Sequence, residues 1–193
     1  MWPFLYFAGD RLTEAELRAA LLDGDLVDIG EGFMPADAVE TPEMRAASLL
    51  PLTGGHRALT HVSAAWVYGV RHERPLVPTL QRATVTRASF PLDARVQFRD
   101  LALPEADVTQ IGGVLVTTPV RTFVDLVRRQ VATGTADATI AAFLRWRPSL
   151  REDGLRWLDA CGPVHHKRPA RDELLLGAAR GAARDQDAEL RTS

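Results

Sequence analysis

Ile111-Gly112-Gly113-Val114-Leu115-Val116-Thr117-Thr118-Pro119-Val120-Arg121-Thr122-Phe123-Val124-Asp125-Leu126 sets the fold class of this chain. Two glycines between Val108–Ile111 and Val114–Val116 predict a tight hairpin, because consecutive glycines supply the positive φ angles of a two-residue turn. Thr118 and Pro119 then predict a helix start, the threonine as N-cap and the proline at the first helical position. Val120, Phe123, Val124 and Val127 give that helix an apolar face as far as Arg129. A strand pair feeding directly into an amphipathic helix points to an α+β protein.

Upstream, β-branched and aromatic residues alternate with polar ones around Gln81–Thr86 and Arg95–Arg99. With the hairpin, these runs predict a small, mostly antiparallel sheet. Thr60–Gly69 is expected to enter extended and continue as a compact helix, its small residues allowing close packing while Trp66 fills a core. Thr41-Pro42-Glu43 starts another helix. Nearer the start, Thr13-Glu14-Ala15-Glu16 is a capping-box signature, and Asp23-Gly24 ends the helix it opens. Leu26–Ile29, a Gly30-Glu31-Gly32 turn and Phe33-Met34 then read as a hairpin closed by Pro35. Downstream, helices are expected over residues 136–146, 150–160 and about 169–183. Residues 1–40 thus form a helix–hairpin unit with the order and size of a truncated winged helix. Residues 41–184 form a helical domain packed on the small sheet, and 185–193 a polar, frayed tail.

The 193 residues, 46% of them apolar and 25% charged, describe an ordinary globular chain. The single cysteine, Cys161, cannot form an internal disulfide. No run approaches the ~20 apolar residues of a membrane span. The apolar opening, Met1 to Ala8, has no basic leader and is stopped by Gly9 and Asp10, so it is expected to be neither signal nor anchor. A cytoplasmic protein without membrane contact is the expectation. The net charge of −2 is unevenly distributed. Residues 1–56 set three arginines against ten carboxylates, a net of −7, whereas residues 57–193 set 19 arginines and one lysine against 15 carboxylates, a net of +5.

Two segments resemble the AbiE-type antitoxin family, the regulators paired with nucleotidyltransferase-like toxins in type IV toxin–antitoxin systems. Thr60-His61-Val62-Ser63-Ala64-Ala65-Trp66-Val67-Tyr68-Gly69 is similar to the family's "SH-x-SAA-x-L-x-G" segment. Residues 111–126 are similar to its "G-x-x-VT-[ST]-P-x-RT-x-x-DL" segment, and the unit at 13–35 stands where its winged helix would end. The resemblance implies a non-catalytic antitoxin and transcriptional regulator, with promoter DNA and a nucleotidyltransferase-like toxin as partners. His61, Ser63, Trp66, Thr118, Pro119, Arg121 and Asp125 are then structural motif residues. Arg121 and Asp125, at i and i+4, are spaced to pair along the helix.

Promoter binding through residues 13–35 meets an electrostatic objection. A reading helix presents cations and amides to bases and phosphates. This one offers Arg18, with Arg11 ahead of it, among Glu14, Glu16 and Asp23, and the hairpin carries Asp28 and Glu31. The twelve residues ahead of the helix are also fewer than a complete helix-turn-helix takes. The candidate DNA contacts are therefore Arg11 and Arg18 together with Arg128, Arg129, Lys167 and Arg168 in the basic half, where Arg145 and Arg147 also flank Trp146. A protein-interaction module that has lost DNA binding, or a remnant of a nuclease-fused relative, stays open beside the regulator. No cofactor and no metal are expected: Cys161, His165 and His166 lack the fourth ligand a structural zinc takes. His61 and Ser63 lack the third member of a catalytic triad. The chain is not expected to be an enzyme.

Overall fold

A computed structural model describes residues 4–84 and 94–190, with side chains as far as residue 178. The chain divides into two compact units, Met1–Thr118 and Pro119–Ser193. The helix–hairpin of residues 1–40 lies within the first unit. The expected domain 41–184 is shared, its strands in the first unit and its last four helices in the second.

The first unit opens with helix α1, Glu14–Asp23, capped as its sequence predicts. Thr13 Oγ1 accepts the Glu16 amide proton, and the Glu16 carboxylate accepts the Thr13 N–H at 2.8 Å. Gly24 ends the helix in the left-handed region, at φ 81°. Hairpin β1 (Leu26–Ile29) and β2 (Gly32–Pro35) follows, antiparallel, with Val27 opposite Met34. Tyr6 adds a bridge to Phe33 on the free side of β2. Helix α2, Pro42–Ser48, starts at Thr41, whose Oγ1 accepts the Met44 N–H, and leads into the short α3, Leu50–Thr53.

Among the described residues, five strands make the main sheet: β3 (Arg57–Leu59), β4 (Thr79–Arg82), β5 (Gln97–Arg99), β6 (Val108–Ile111) and β7 (Val114–Thr117), in the order β5-β4-β3-β7-β6. The β3/β4 and β6/β7 pairs are antiparallel, but β3/β7 and β4/β5 are parallel. The sheet is thus mixed, where the sequence suggested a mostly antiparallel one. Local alternation specifies a strand and its buried face, but not which distant strand lies beside it. The parallel β3/β7 pair joins segments more than fifty residues apart, with Ala58 opposite Leu115 and Leu59 opposite Val116. Residues 85 and 86 of the expected Gln81–Thr86 run fall outside the described residues. Helix α4, His61–Val67, packs on this sheet, and Leu59, Trp66, Val67, Leu80, Val114 and Val116 share one core with Met44 and Leu49 of the α2 region.

Among the described residues, the second unit holds four helices: α5 (Pro119–Thr133), α6 (Ala138–Trp146), α7 (Leu150–Ala160) and α8 (Lys167–Leu190). Phe123 meets Phe143 edge-on at 6.3 Å. Gly154 lets α7 come close, since a Cβ there would touch Val124, Phe123 and Leu174 at 3.2–3.4 Å. Helix α8 runs to Leu190, past the expected end near 183, because Ala, Arg, Glu and Leu continue with no Pro or Gly after Gly181 to stop them.

Glycine is required at the β6–β7 turn. Gly112 and Gly113 both have positive φ, at 56° and 82°, but a Cβ on Gly112 would drive into the Glu43 carbonyl of α2, whereas one on Gly113 would meet open space. Gly113→Ala should therefore cost only the left-handed strain, about 1 kcal/mol. Gly112→Ala adds overpacking against backbone and should cost about 3 kcal/mol. Urea melts of the two variants check the difference; equal losses would show that the Glu43 contact is not made.

Candidate functional site

The segment 60–69 is a buried junction between β3 and α4. Thr60 gives its N–H to the Thr79 carbonyl at 3.0 Å, and its hydroxyl shares a 3.0 Å hydrogen bond with His61 Nδ1. His61 sits at φ 51°, a left-handed conformation unusual for a non-glycine residue, and is 4% exposed. It stands at the first residue of α4, where no side chain caps the helix. Ser63 Oγ accepts the Thr79 N–H at 2.8 Å and so ties α4 to the first residue of β4. Trp66 receives the Arg45 guanidinium over its ring at 5.5 Å, and Arg45 also donates to the Trp66 carbonyl and pairs with Glu40. Tyr68 gives its hydroxyl proton to the Thr117 carbonyl at 2.8 Å, and burial pushes the phenol well above its usual range. The hydroxyls and rings of this motif face their own scaffold.

The second segment spans the boundary of the two units, and its residues serve each in turn. On the strand side, Thr117 Oγ1 donates to the Leu59 carbonyl and the Thr118 N–H to the Asp107 carbonyl. On the helix side, α5 begins at Pro119, as expected. Arg121 Nε donates to Asp125 Oδ2 at 2.7 Å, which is the expected i,i+4 pair. Arg128 Nη1 takes the other oxygen at 2.6 Å, and its Nε donates to the His165 carbonyl. Asp125 is only 2% exposed and Arg121 8%, and the Arg121 guanidinium also lies over Trp157 at 5.1 Å. Charge reading grouped Arg128 with the DNA contacts and missed this role, although the i,i+3 spacing to Asp125 was there to read.

The remaining DNA candidates are scattered and mostly engaged. Arg18 pairs with Glu14 at 2.8 Å, Arg129 with Asp137 at 2.5 Å, and Lys167 Nζ donates to the Cys161 carbonyl at 2.6 Å. Arg11 and Arg168 are exposed. The hairpin that would act as a wing has its turn seated on α2. The Glu31 N–H donates to the Ser48 carbonyl at 3.0 Å, Arg74 donates to the Gly30 carbonyl, and Arg95 pairs with Glu31 at 3.2 Å. Gly30 is needed there, since a Cβ would collide with the Ser48 side chain. The surrounding charge is wrong for a DNA contact: no Arg, Lys or His occurs between Arg18 and Arg45, a stretch with seven carboxylates. Among the described residues, no group of three or more His, Cys, Asp or Glu is placed to hold a metal ion, and no helix is long and apolar enough to cross a membrane.

Removing Asp125 should be costly because two arginines, both largely buried, lose their counter-charge. Asp125→Ala is expected to lose about 3–5 kcal/mol in denaturant melts. Joint replacement of Arg121, Asp125 and Arg128 by Met, Leu and Met should recover most of that loss. Failure to recover would mean that the network is not what the single variant removed.

The model of the AbiEi antitoxin C-terminal domain matches residues 57–153, from β3 into α7. No curated protein matches the chain. Among solved structures, the crystal structure of the RV2827C protein from Mycobacterium tuberculosis is similar at 16% identity, over 84% of this chain and 70% of that one, with a TM-score of 0.35. The family match takes in both quoted segments, from Thr60 to Leu126, and covers just over half of the residues: the chain belongs to the AbiEi antitoxin family.

Proposed function

We propose that this antitoxin acts by binding and not by chemistry, in the cytoplasm, against a nucleotidyltransferase-like toxin. The observation that carries the reading is how the family-matched polar residues are used. Ser63 Oγ, both oxygens of Asp125 and the Thr117 hydroxyl are each committed to holding the scaffold. A scaffold spent on internal order supports function through its surface. The test is co-expression with a nucleotidyltransferase-like toxin that arrests growth when expressed alone: this chain should relieve the arrest. Absence of relief at matched expression would overturn the reading.

Transcriptional regulation is the second reading, favoured by the net +5 of residues 57–193. Promoter contact would then come from Arg168 and its basic neighbours more than from Arg11 and Arg18, which sit in the acidic segment. Such binding should weaken steeply with salt. A mobility shift with DNA from the gene's own upstream region should appear at low salt and be reduced by Arg168→Gln. If no fragment shifts, the antitoxin works through protein contact alone.

A further inference from the structure

The hairpin at the start of the first unit leaves one backbone edge open. Phe33 exchanges two hydrogen bonds with Tyr6, each at 2.9 Å, so the Phe33 backbone faces away from β1. Asp28 stands opposite Phe33 in the register, and the Ala36 N–H reaches the Asp25 carbonyl three residues before Asp28. Hydrogen-bonded and non-hydrogen-bonded pairs alternate along an antiparallel ladder, so Asp28 directs its own N–H and C=O away from β2. Leu26, opposite Pro35, does the same two residues earlier. Among the described residues, no hydrogen bond engages these outward groups, and β1 has no strand beside it other than β2. Val27, 41% exposed, and Asp28, also exposed, lie on this edge strand.

The charge around that edge selects what can pair with it. Of the seven carboxylates between Arg18 and Arg45, Glu31 pairs with Arg95 and Glu40 with Arg45. The other five, Asp23, Asp25, Asp28, Asp37 and Glu43, are exposed, and no ion pair engages them among the described residues. Asp23 and Asp25 precede β1, Asp28 lies on it, and Asp37 follows Ala36, the residue bonded to Asp25. A second copy of this chain, pairing edge to edge, would set carboxylate against carboxylate. Nucleic acid is repelled for the same reason. A basic strand meets both requirements, since its backbone extends the ladder and its cations answer the carboxylates. We propose that the open edge of β1 takes an extended, basic segment of a partner protein, continuing the antiparallel ladder. A cation of that segment then lies opposite Asp28, and the next side chain, an aliphatic one, falls on the Val27 face. The docking is independent of toxin relief, since one is read in binding by the purified chain and the other in growth.

The experiment titrates the full, isotope-labelled chain with a peptide of alternating lysine and valine, about eight residues long, followed by amide NMR and hydrogen exchange. The peptide should bind saturably at low salt, and the Asp28 amide, fast to exchange in the free chain, should slow about tenfold at saturation. The same peptide N-methylated on its lysine nitrogens, which would face β1, should lose binding. Methylation on its valine nitrogens, which would face solvent, should preserve it. Asp28→Lys should weaken binding about tenfold and Asp28→Asn about threefold. Asp172→Lys, at an exposed acid of the second unit, should leave it unchanged, with folding of every variant checked by circular dichroism. The proposal fails if nothing binds, or if the Asp28 amide exchanges as fast at saturation as in the free chain. It fails equally if the lysine-methylated peptide binds as tightly as the parent peptide, or if Asp172→Lys weakens binding as much as Asp28→Lys.

Discussion

Helix α2 receives a hairpin turn at each of its ends, and the first unit is organised by that constraint. Gly112 of the β6–β7 turn presses on the Glu43 carbonyl at its start, and Gly30 of the β1–β2 turn presses on Ser48 at its end. Neither contact leaves room for a Cβ, and both turns need a positive φ, so glycine is required twice over. Seven residues of helix thereby connect the N-terminal hairpin to an edge of the five-stranded sheet. The same seating buries Gly30 and leaves Glu31 half-buried.

In the second unit the equivalent role falls to Asp125. A lone buried carboxylate would be costly, and so would either arginine alone. Together they are held in fixed geometry, with Arg128 extending the network to the His165 carbonyl ahead of α8 and Arg121 resting on Trp157 of α7. One helical turn of α5 thus fixes the segments around it within the unit. The family-matched Arg121 and Asp125 are both held within this network.

The exposed charge divides along the sequence. The acidic stretch between Arg18 and Arg45 repels phosphate, while exposed cations such as Arg145, Arg147, Arg156 and Arg168 lie in the later helices, two of them paired with a carboxylate close by. Counting arginines overstates the charge available to a ligand, because Arg128 and Arg129 are paired internally with Asp125 and Asp137. What a partner meets is a smaller set.

Local features were legible residue by residue. The Thr13–Glu16 box, the Gly112-Gly113 turn, the Pro119 start and the Arg121–Asp125 pair depend only on neighbours within four or five positions, and the sequence alone determined them. So did membership of the antitoxin family, since the quoted segments carry it. The parallel pairing of β3 with β7, the seating of both glycine turns on α2, the capture of Arg128 by Asp125 and the open edge of β1 were decided only by the tertiary structure. Each depends on which distant backbone or helix comes within contact distance, and on which side chains burial then withdraws from water. Spacing along the chain carries no such information.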